Sequence, residues 1–318
     1  MRPSGAANDS TRLEDALARV ADALPYLRAV VGEPPGLLRD GEELADGRWL
    51  CCDRLLGDHD WLRSVVRGAG RRLSAPDDAV ASSIFVQGYS YRALATAISC
   101  YLLGGALPSS RPEVMAVAFS KGRPVSVAYR QARLLVIDGA CRPAAPTAQA
   151  EKASDDRAGP SGKARPPGRT GPLAGADGLS WAGALEMLLE DAVEAHMRPL
   201  VTAVRSCFKV GRRLLWGNVA ASGAVAFRTV EGLLGPAVKP LGEAFFALAP
   251  PELKGLGSFA TVEHGGRSAW YWERRNCCLY DRLPGGVRCA DCSKRSAEER
   301  RASYLAVLEE EVGAEGGQ

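Results

Sequence analysis

The chain has no long hydrophobic run and no marked excess of charge of one sign. Its 318 residues contain no stretch of about eighteen consecutive apolar residues, so a transmembrane helix is not expected. The net charge of +3 is too near balance to indicate a nucleic-acid partner. The N-terminus has no apolar stretch behind a positive start and does not read as a secretory signal. We therefore expect a cytoplasmic protein with no nucleic-acid partner and no stable membrane insertion.

Aromatic residues and histidines are also few. Aromatics make up 7 % of the chain, but 46 % of residues are apolar, which is enough for a buried core. His59, His196 and His264 are scattered without the spacing of metal ligands, so we interpret them as structural or surface residues. No G-x-G-x-x-G follows a strand, and there is no phosphate loop or hydrolytic triad. The sequence thus gives no site for NAD(P)H or flavin and no nucleophile for hydrolysis.

The apolar pattern predicts helices in both halves of the chain and strands in one place. Residues 113–138 are rich in valine with a Lys121-Gly122 turn, which predicts two or three short strands. Apolar residues at helical spacing predict the helices: 11–31 with a kink or an end at Pro25, 59–73, 77–103, a helix from Trp181 to Pro199, 203–234 and 296–311. The expected fold is mainly α with a small β-sheet (α+β), a helical body followed by a short C-terminal segment.

A stretch of different composition divides the chain. Residues 142–180 hold six Pro and six Gly with almost no large aliphatic residues, so they cannot bury enough apolar surface to offset the entropy of ordering. We predict a disordered linker or loop there. Four regions follow: an N-terminal helical region with a small sheet at 1–141, the linker at 142–180, a helical region at 181–262, and a C-terminal segment at 263–318.

The chain has nine cysteines, and four of them cluster near the C-terminus. Cys277 and Cys278 are adjacent, ten residues follow, and then comes Cys289-x-x-Cys292. In a reducing compartment clustered cysteines more often bind metal than form disulfides. The Leu-Pro-Gly-Gly turn at 283–286 would return the second pair to the first. Zinc and an iron–sulfur cluster both accept four thiolates, although adjacent cysteines depart from zinc knuckles and require a local bend of the backbone.

The C-terminal pattern resembles the FhuF family of ferric-siderophore reductases. The resemblance rests on Cys277-Cys278-Leu279-Tyr280, the Leu-Pro-Gly-Gly turn, Cys289-x-x-Cys292 and, upstream, residues 215–220 (LWGNVA). It implies a [2Fe–2S] cluster on Cys277, Cys278, Cys289 and Cys292, and one-electron reduction of siderophore-bound Fe³⁺ to Fe²⁺. The siderophore should then lie between the helical body and the C-terminal segment.

Partners and substrate contacts follow from that resemblance. The expected partners are a ferric siderophore and an electron donor, ferredoxin-like or a flavin reductase. Candidate siderophore contacts are Trp216, Asn218 and Arg275, although packing between helices is the favoured interpretation of Trp216 and Asn218, and a solvated charged face that of Arg275. The alternative is a non-redox helical binding module with a structural Cys₄ zinc site. Cys51-Cys52, Cys100, Cys141 and Cys207 are interpreted as non-ligand residues.

Overall fold

The computed structural model describes residues 6–136 and 181–315. The predicted linker at 142–180 and Cys141 lie outside the described residues. In the first described part, helices alternate with short strands: α1 (Ala6–Ala23), β1 (Arg28–Val31), β2 (Trp49–Cys51), α2 (Cys52–Gly57), α3 (His59–Arg72), α4 (Asp78–Ser99), a π-helical turn (Cys100–Gly104), β3 (Ala106–Pro108), a 3₁₀ turn (Pro112–Val114), β4 (Met115–Ser120), β5 (Arg123–Tyr129) and β6 (Leu134–Val136).

The second described part is helical up to a β-hairpin. A short segment, residues 275–296, follows the hairpin and is called the cysteine-rich segment. The elements of this second part are α5 (Trp181–Leu188), a π-helical segment (Leu189–Met197), α6 (Arg198–Cys207), α7 (Arg212–Leu234), α8 (Val238–Leu248), β7 (Gly257–His264), β8 (Arg267–Arg274), a 3₁₀ turn (Tyr280–Arg282) and α9 (Ala297–Glu315). The prediction of a mainly α protein with small sheets and a C-terminal segment is confirmed.

The strands form three small sheets. The largest has the order β1-β5-β4-β2, with β1 parallel to β5 and the other pairs antiparallel. β3 pairs with β6, and β7 pairs with β8 in register from Gly257 opposite Arg274 to His264 opposite Arg267. The predicted strands at 113–138 correspond to β4, β5 and β6.

The longest helices, α4 and α7, pack against each other at the centre of the molecule. Both are rich in small residues on their buried faces, including Ala93 and Ala97 on α4 and Ala220 and Ala224 on α7. Small side chains let two helix backbones approach closely, which gives the two helices a long shared contact. This pair is the support on which the cysteine-rich segment lies.

Three helix predictions need correction. The helix predicted for 11–31 ends at Ala23, before Pro25, and residues 28–31 form β1. The helix predicted for 203–234 is two helices, because Phe208 and Gly211 adopt extended backbone conformations between α6 and α7. The region predicted as helical at 181–262 contains the start of β7. In the described ranges, no helix has the combination of length and apolar character that crossing a membrane requires.

Candidate metal centre

The β7–β8 hairpin carries the chain from the helical body to the cysteines. Gly265 and Gly266 form its turn with positive φ values of 57° and 75°. β8 is buried on both faces: Trp272 stacks on Phe246 of α8 with ring centroids 4.5 Å apart, and Tyr271 stacks on Tyr304 of α9 at 4.1 Å. This two-sided packing fixes the position of Arg274, the last residue of β8.

The backbone bends sharply after the adjacent cysteines, as their convergence requires. Leu279 adopts a left-handed conformation with φ of 66°, which is rare for a residue with a branched side chain. Its amide donates a hydrogen bond to the Cys277 sulfur at 3.3 Å. A second turn places the Cys292 amide 3.1 Å from the Cys289 carbonyl oxygen. Both pairs of thiols are thereby turned toward one another.

The four thiols lie close to one another. The Sγ atoms of Cys278 and Cys289 are 3.7 Å apart, and those of Cys277 and Cys292 are 4.0 Å apart. Two thiolates bound tetrahedrally to one metal at about 2.3 Å lie about 3.8 Å apart, so each pair has the spacing of two ligands of one metal ion. Within the described ranges, no three Cys, His, Asp or Glu side chains converge on a single ion position. Each of these two contacts can therefore supply two thiolate ligands to a metal.

Burial and mutual hydrogen bonding set the acidity of these thiols. The hydrogen bond with Cys278, together with burial, raises the pKa of Cys277. Hydrogen bonding with Cys278 lowers the pKa of Cys289. Four thiolates this close repel one another, so they require the positive charge of bound metal to be deprotonated together.

A buried network supports the cysteines from the helical side. The Ser83 hydroxyl on α4 donates to the Cys278 carbonyl oxygen at 2.6 Å. The Asn218 amide on α7 donates to both the carbonyl and the hydroxyl oxygen of Ser83, each at 2.9 Å. The Arg274 guanidinium in turn donates to the Asn218 side-chain oxygen at 2.6 Å. Three separate elements are thus joined directly behind Cys278.

Arg274 is the one member of this network that carries a charge. Its side chain is 4 % exposed, and its Nε is buried with no partner among the described residues. Its charge favours the thiolate forms of Cys278 and Cys289. A buried cation with an unused N–H group beside four thiols suits an anionic thiolate-ligated cluster, which needs charge compensation and hydrogen bonds to sulfur.

A glycine allows the cysteine-rich segment to approach α7. A Cβ on Gly217 would overlap the side-chain amide of Asn276, so no larger residue fits there without movement. Asn276 uses this approach to donate to the Leu214 carbonyl oxygen at 3.3 Å. The residue directly before Cys277 is therefore held against the helix.

Charged side chains tie the outer side of the segment together and to α4. Lys294 contacts the Asp281 carboxylate at 2.7 Å, and this ion pair lowers the pKa of Asp281, whose Oδ1 is 3.6 Å from the Cys277 sulfur. Arg282 pairs at 2.7 Å with Asp77, which also caps the N-terminus of α4. Cys278 and Cys292 are buried, whereas Cys277 and Cys289 are partly exposed. One edge of the thiol cluster thus reaches the surface.

The three predicted siderophore contacts lie on the α7 side of the segment. Asn218 is 0 % exposed and fully engaged in the network with Ser83 and Arg274, which leaves no surface of it for a ligand in this structure. Trp216 is buried under the Arg198 guanidinium at 5.8 Å but borders a surface cavity. Arg275 is exposed, and its amide bonds to the Leu256 carbonyl oxygen. Their contact with a siderophore stays a prediction.

The sequence predicted a charge role for Arg274 beside the thiols, but not its burial or its bond to Asn218, the support by Ser83, or a second buried chain of hydrogen bonds around His196. The His196 ring is hydrogen-bonded to the Ser110 carbonyl oxygen at 2.6 Å and to the Tyr89 hydroxyl at 2.8 Å, and burial lowers its pKa to about 4. Cys51, Cys52 and Cys100 are buried, as expected for cysteines that pack in the core. Ser83 has no local sequence signal, whereas Arg274 stands three residues before Cys277. The Gly265-Gly266 pair is a local sequence signal for the turn of the hairpin that positions Arg274.

Two family matches bear on this geometry. Residues 83–254 match the family described as ferric iron reductase FhuF-like transporter, and residues 274–293 match the FhuF 2Fe-2S C-terminal domain. The chain belongs to the FhuF-like ferric iron reductase family. Its cofactor is a [2Fe–2S] cluster, and this decides against the structural zinc site. No curated protein matches the chain.

The matches agree with the geometry of the FhuF-like chain. The first covers α7 and most of α4, the helices that carry Asn218 and Ser83, and the second covers Arg274 and all four clustered cysteines. The resemblance inferred from the sequence is therefore confirmed, and the chain is an iron–sulfur protein of the ferric-siderophore-reductase type with a redox function.

Proposed function

We propose that this FhuF-like protein is a ferric-siderophore reductase of the cytoplasm, with its [2Fe–2S] cluster held by Cys277, Cys278, Cys289 and Cys292. The observation that carries the proposal is the convergence of the four thiols, with Sγ distances of 3.7 Å between Cys278 and Cys289 and 4.0 Å between Cys277 and Cys292. None of the described cysteines forms a disulfide, which suits a reducing compartment.

The cluster supplies a carrier for one electron at a time. The chain's own residues hold it and set its surroundings. Arg274 offsets negative charge from the buried side, while Lys294 and Asp281 form an ion pair on the outer side. The partly exposed Cys277 and Cys289 mark the edge at which an electron enters or leaves with the shortest path to the surface.

The reaction transfers one electron to iron that is bound by the siderophore. Fe³⁺ in the complex gains one electron and becomes Fe²⁺, while a donor protein, ferredoxin-like or a flavin reductase, loses one. Hard oxygen donors bind the larger and less charged Fe²⁺ more weakly, so the siderophore releases it. No proton donor, proton acceptor or nucleophile is required, which agrees with a site built from thiols and arginines.

The test is a single-turnover assay without air. The purified protein is reduced with dithionite, freed of excess reductant and mixed with a ferric siderophore and a coloured chelator specific for Fe²⁺. We expect about one Fe²⁺ per reduced chain, because a [2Fe–2S] cluster stores one electron. Cys278→Ser should yield almost none, and Cys207→Ser, outside the cysteine-rich segment, should behave as the native protein. Formation of Fe²⁺ at the protein-free rate by the native protein would refute the proposal.

A further inference from the structure

A cavity lies directly beside the cysteine-rich segment, between it and the helical body. It has a volume of about 390 Å³ and is open to solvent. α4 contributes Tyr91 and Arg92, the start of β5 contributes Arg123, and the cysteine-rich segment contributes Tyr280 and Cys289. This volume is within the range of small-molecule sites. We refer to it as the Arg92–Arg123 cavity.

The cavity carries uncompensated positive charge. None of the described residues that line it is acidic. The Arg92 guanidinium donates to the carbonyl oxygens of Pro124 at 3.1 Å and Tyr26 at 2.6 Å, and the Arg123 guanidinium lies 5.5 Å above the Tyr280 ring. Neither arginine pairs with a carboxylate in the described part of the chain. Two unpaired guanidinium groups in one concave site favour an anion, especially one that carries several oxygen atoms.

The remaining walls favour a ligand with apolar or aromatic groups. Tyr91 and Tyr280 line the cavity together with Ile84, Pro124 and Val125. Aromatic rings offer stacking surfaces, and Tyr280 is already held in place by Arg123. A small inorganic anion would leave these walls without contact, whereas a chelate with organic arms would cover them.

The position of Cys289 connects the cavity to the redox centre. Cys289 is one of the four clustered cysteines and is also part of the cavity wall. A ligand in the cavity therefore lies in contact with one of the two partly exposed cysteines at the edge of the thiol cluster.

We infer that the Arg92–Arg123 cavity binds the ferric siderophore and selects for complexes with a net negative charge. This inference rests on the proposed function and extends it by naming the site and the charge class of the substrate. Three catecholate groups around a trivalent metal leave a net negative charge, whereas three hydroxamate groups neutralise it. The anionic complex should therefore bind more tightly.

A rival site in the described part of the chain makes the inference testable. A second cavity of about 510 Å³ is lined by Arg212, Arg213 and Trp216, the last a predicted siderophore contact. Its charge is partly neutralised, because Arg212 pairs with Glu252 at 2.7 Å. No cysteine is among the described residues that line it. A siderophore there would have no direct contact with the thiol cluster.

The experiment measures binding without electron transfer. Gallium(III) complexes of a linear tris-catecholate and of a linear tris-hydroxamate are titrated calorimetrically into cluster-containing protein, because Ga³⁺ resembles Fe³⁺ but is not reduced. The variants are Arg123→Gln and, as the matched control from the rival cavity, Arg213→Gln. Both arginines are exposed, and the thermal unfolding and visible spectrum of each variant verify its fold.

We expect the native protein to bind the anionic complex at least tenfold more tightly than the neutral one. Arg123→Gln should weaken binding of the anionic complex about tenfold, as loss of one charge-assisted contact implies, and Arg213→Gln should not change it. Equal affinity for both complexes, an unchanged Arg123→Gln variant, or weakening by Arg213→Gln would each overturn the inference. The proposed function would still stand after any of these results if the single-turnover assay yields Fe²⁺. If the binding pattern is as expected but that assay yields no Fe²⁺, the proposed function is refuted and the binding site is not.

Discussion

At the scale of single residues, the structure gives Arg274 a role that differs from that of the surrounding arginines. Its guanidinium is buried, donates to Asn218 and keeps its Nε free of partners among the described residues. A positive charge near a cluster stabilises the reduced state, because reduction adds a negative charge. Arg274 is therefore a positioning and charge-compensating residue, and it acts on the cluster potential through the field and the network.

Replacing Arg274 should lower the reduction potential of the cluster. We predict that Arg274→Gln shifts the midpoint to more negative values by on the order of 50 mV, while Arg274→Lys, which keeps the charge, shifts it less. The measurement is a dithionite titration followed by visible absorption, with the exposed neighbour Arg275→Gln as the control. A midpoint equal to that of the native protein in Arg274→Gln would show that the buried charge has no effect on the cluster.

His196 makes a second prediction at the residue scale, which concerns stability and pH. Burial lowers its pKa to about 4 in the folded state, against about 6.5 in the unfolded chain. Between these values the unfolded state binds a proton that the folded state does not, so stability falls as the pH falls from 6.5 toward 4. The contribution amounts to about 2 kcal/mol between pH 7 and pH 5.

The check is urea unfolding at pH 7 and pH 5. The native protein and the His59→Asn control, whose residue is exposed, should both lose this stability at pH 5. His196→Asn should be less stable at pH 7, because it loses the bond to Tyr89 or to Ser110, but its stability should depend less on pH. The same pH dependence in His196→Asn and the native protein would show that His196 is not the titrating group.

At the scale of elements, α4 and α7 form the support, and the hairpin and the cysteine-rich segment attach to it. The contacts that make the attachment include Ser83 with the Cys278 carbonyl, Arg274 with Asn218, Asp77 with Arg282, and the close approach of Asn276 to Gly217. Each joins residues far apart in the sequence. The cluster site is thus assembled only when both described parts of the chain have folded together.

Two glycines of α7 test this attachment within one helix. A Cβ at Gly217 would overlap Asn276, so Gly217→Ala should displace the segment and lower the iron content, with a loss of stability of about 2 kcal/mol or more. At Gly232, which is exposed, an added Cβ meets only the end of Arg228 at 3.9 Å, so Gly232→Ala should stabilise by about 0.5–1 kcal/mol. Iron analysis and thermal unfolding measure both, and full iron content in Gly217→Ala would contradict this account of the contact.

Local sequence patterns predicted many of the helices and strands, and the predictions that failed have local causes. The helices α3 and α4 and the strands β4 and β5 follow from apolar periodicity and the caps Asp58 and Asp77. The break between α6 and α7 was missed because apolar residues continue through it, although Gly211 provides a stop signal. A hydrogen bond between residues far apart in the chain, such as Ser83 and Cys278, leaves no periodic pattern in a single sequence.

At the scale of the whole molecule, the cysteine ligands could be proposed from the sequence because they lie within sixteen residues, from Cys277 to Cys292. The adjacent pair, the turn and the C-x-x-C unit are local signals, and the structure places all four thiols together. The Arg92–Arg123 cavity could not be predicted from local sequence signals, because it combines residues from α4, β5 and the cysteine-rich segment. Arginines are frequent on protein surfaces, so two that lack carboxylate partners become informative only when their neighbours are known.

The central claim is that the last part of this chain holds one two-iron cluster on four cysteines. Its most direct test is analysis of iron and acid-labile sulfide, with electron paramagnetic resonance of the dithionite-reduced protein purified without air, in the native chain, Cys278→Ser and Cys207→Ser. We predict about two irons and two sulfides per chain and a spectrum from one unpaired electron in the native protein and in Cys207→Ser, and loss or change of that spectrum in Cys278→Ser. Native protein without acid-labile sulfide, or a Cys278→Ser spectrum identical to the native one, would contradict the claim.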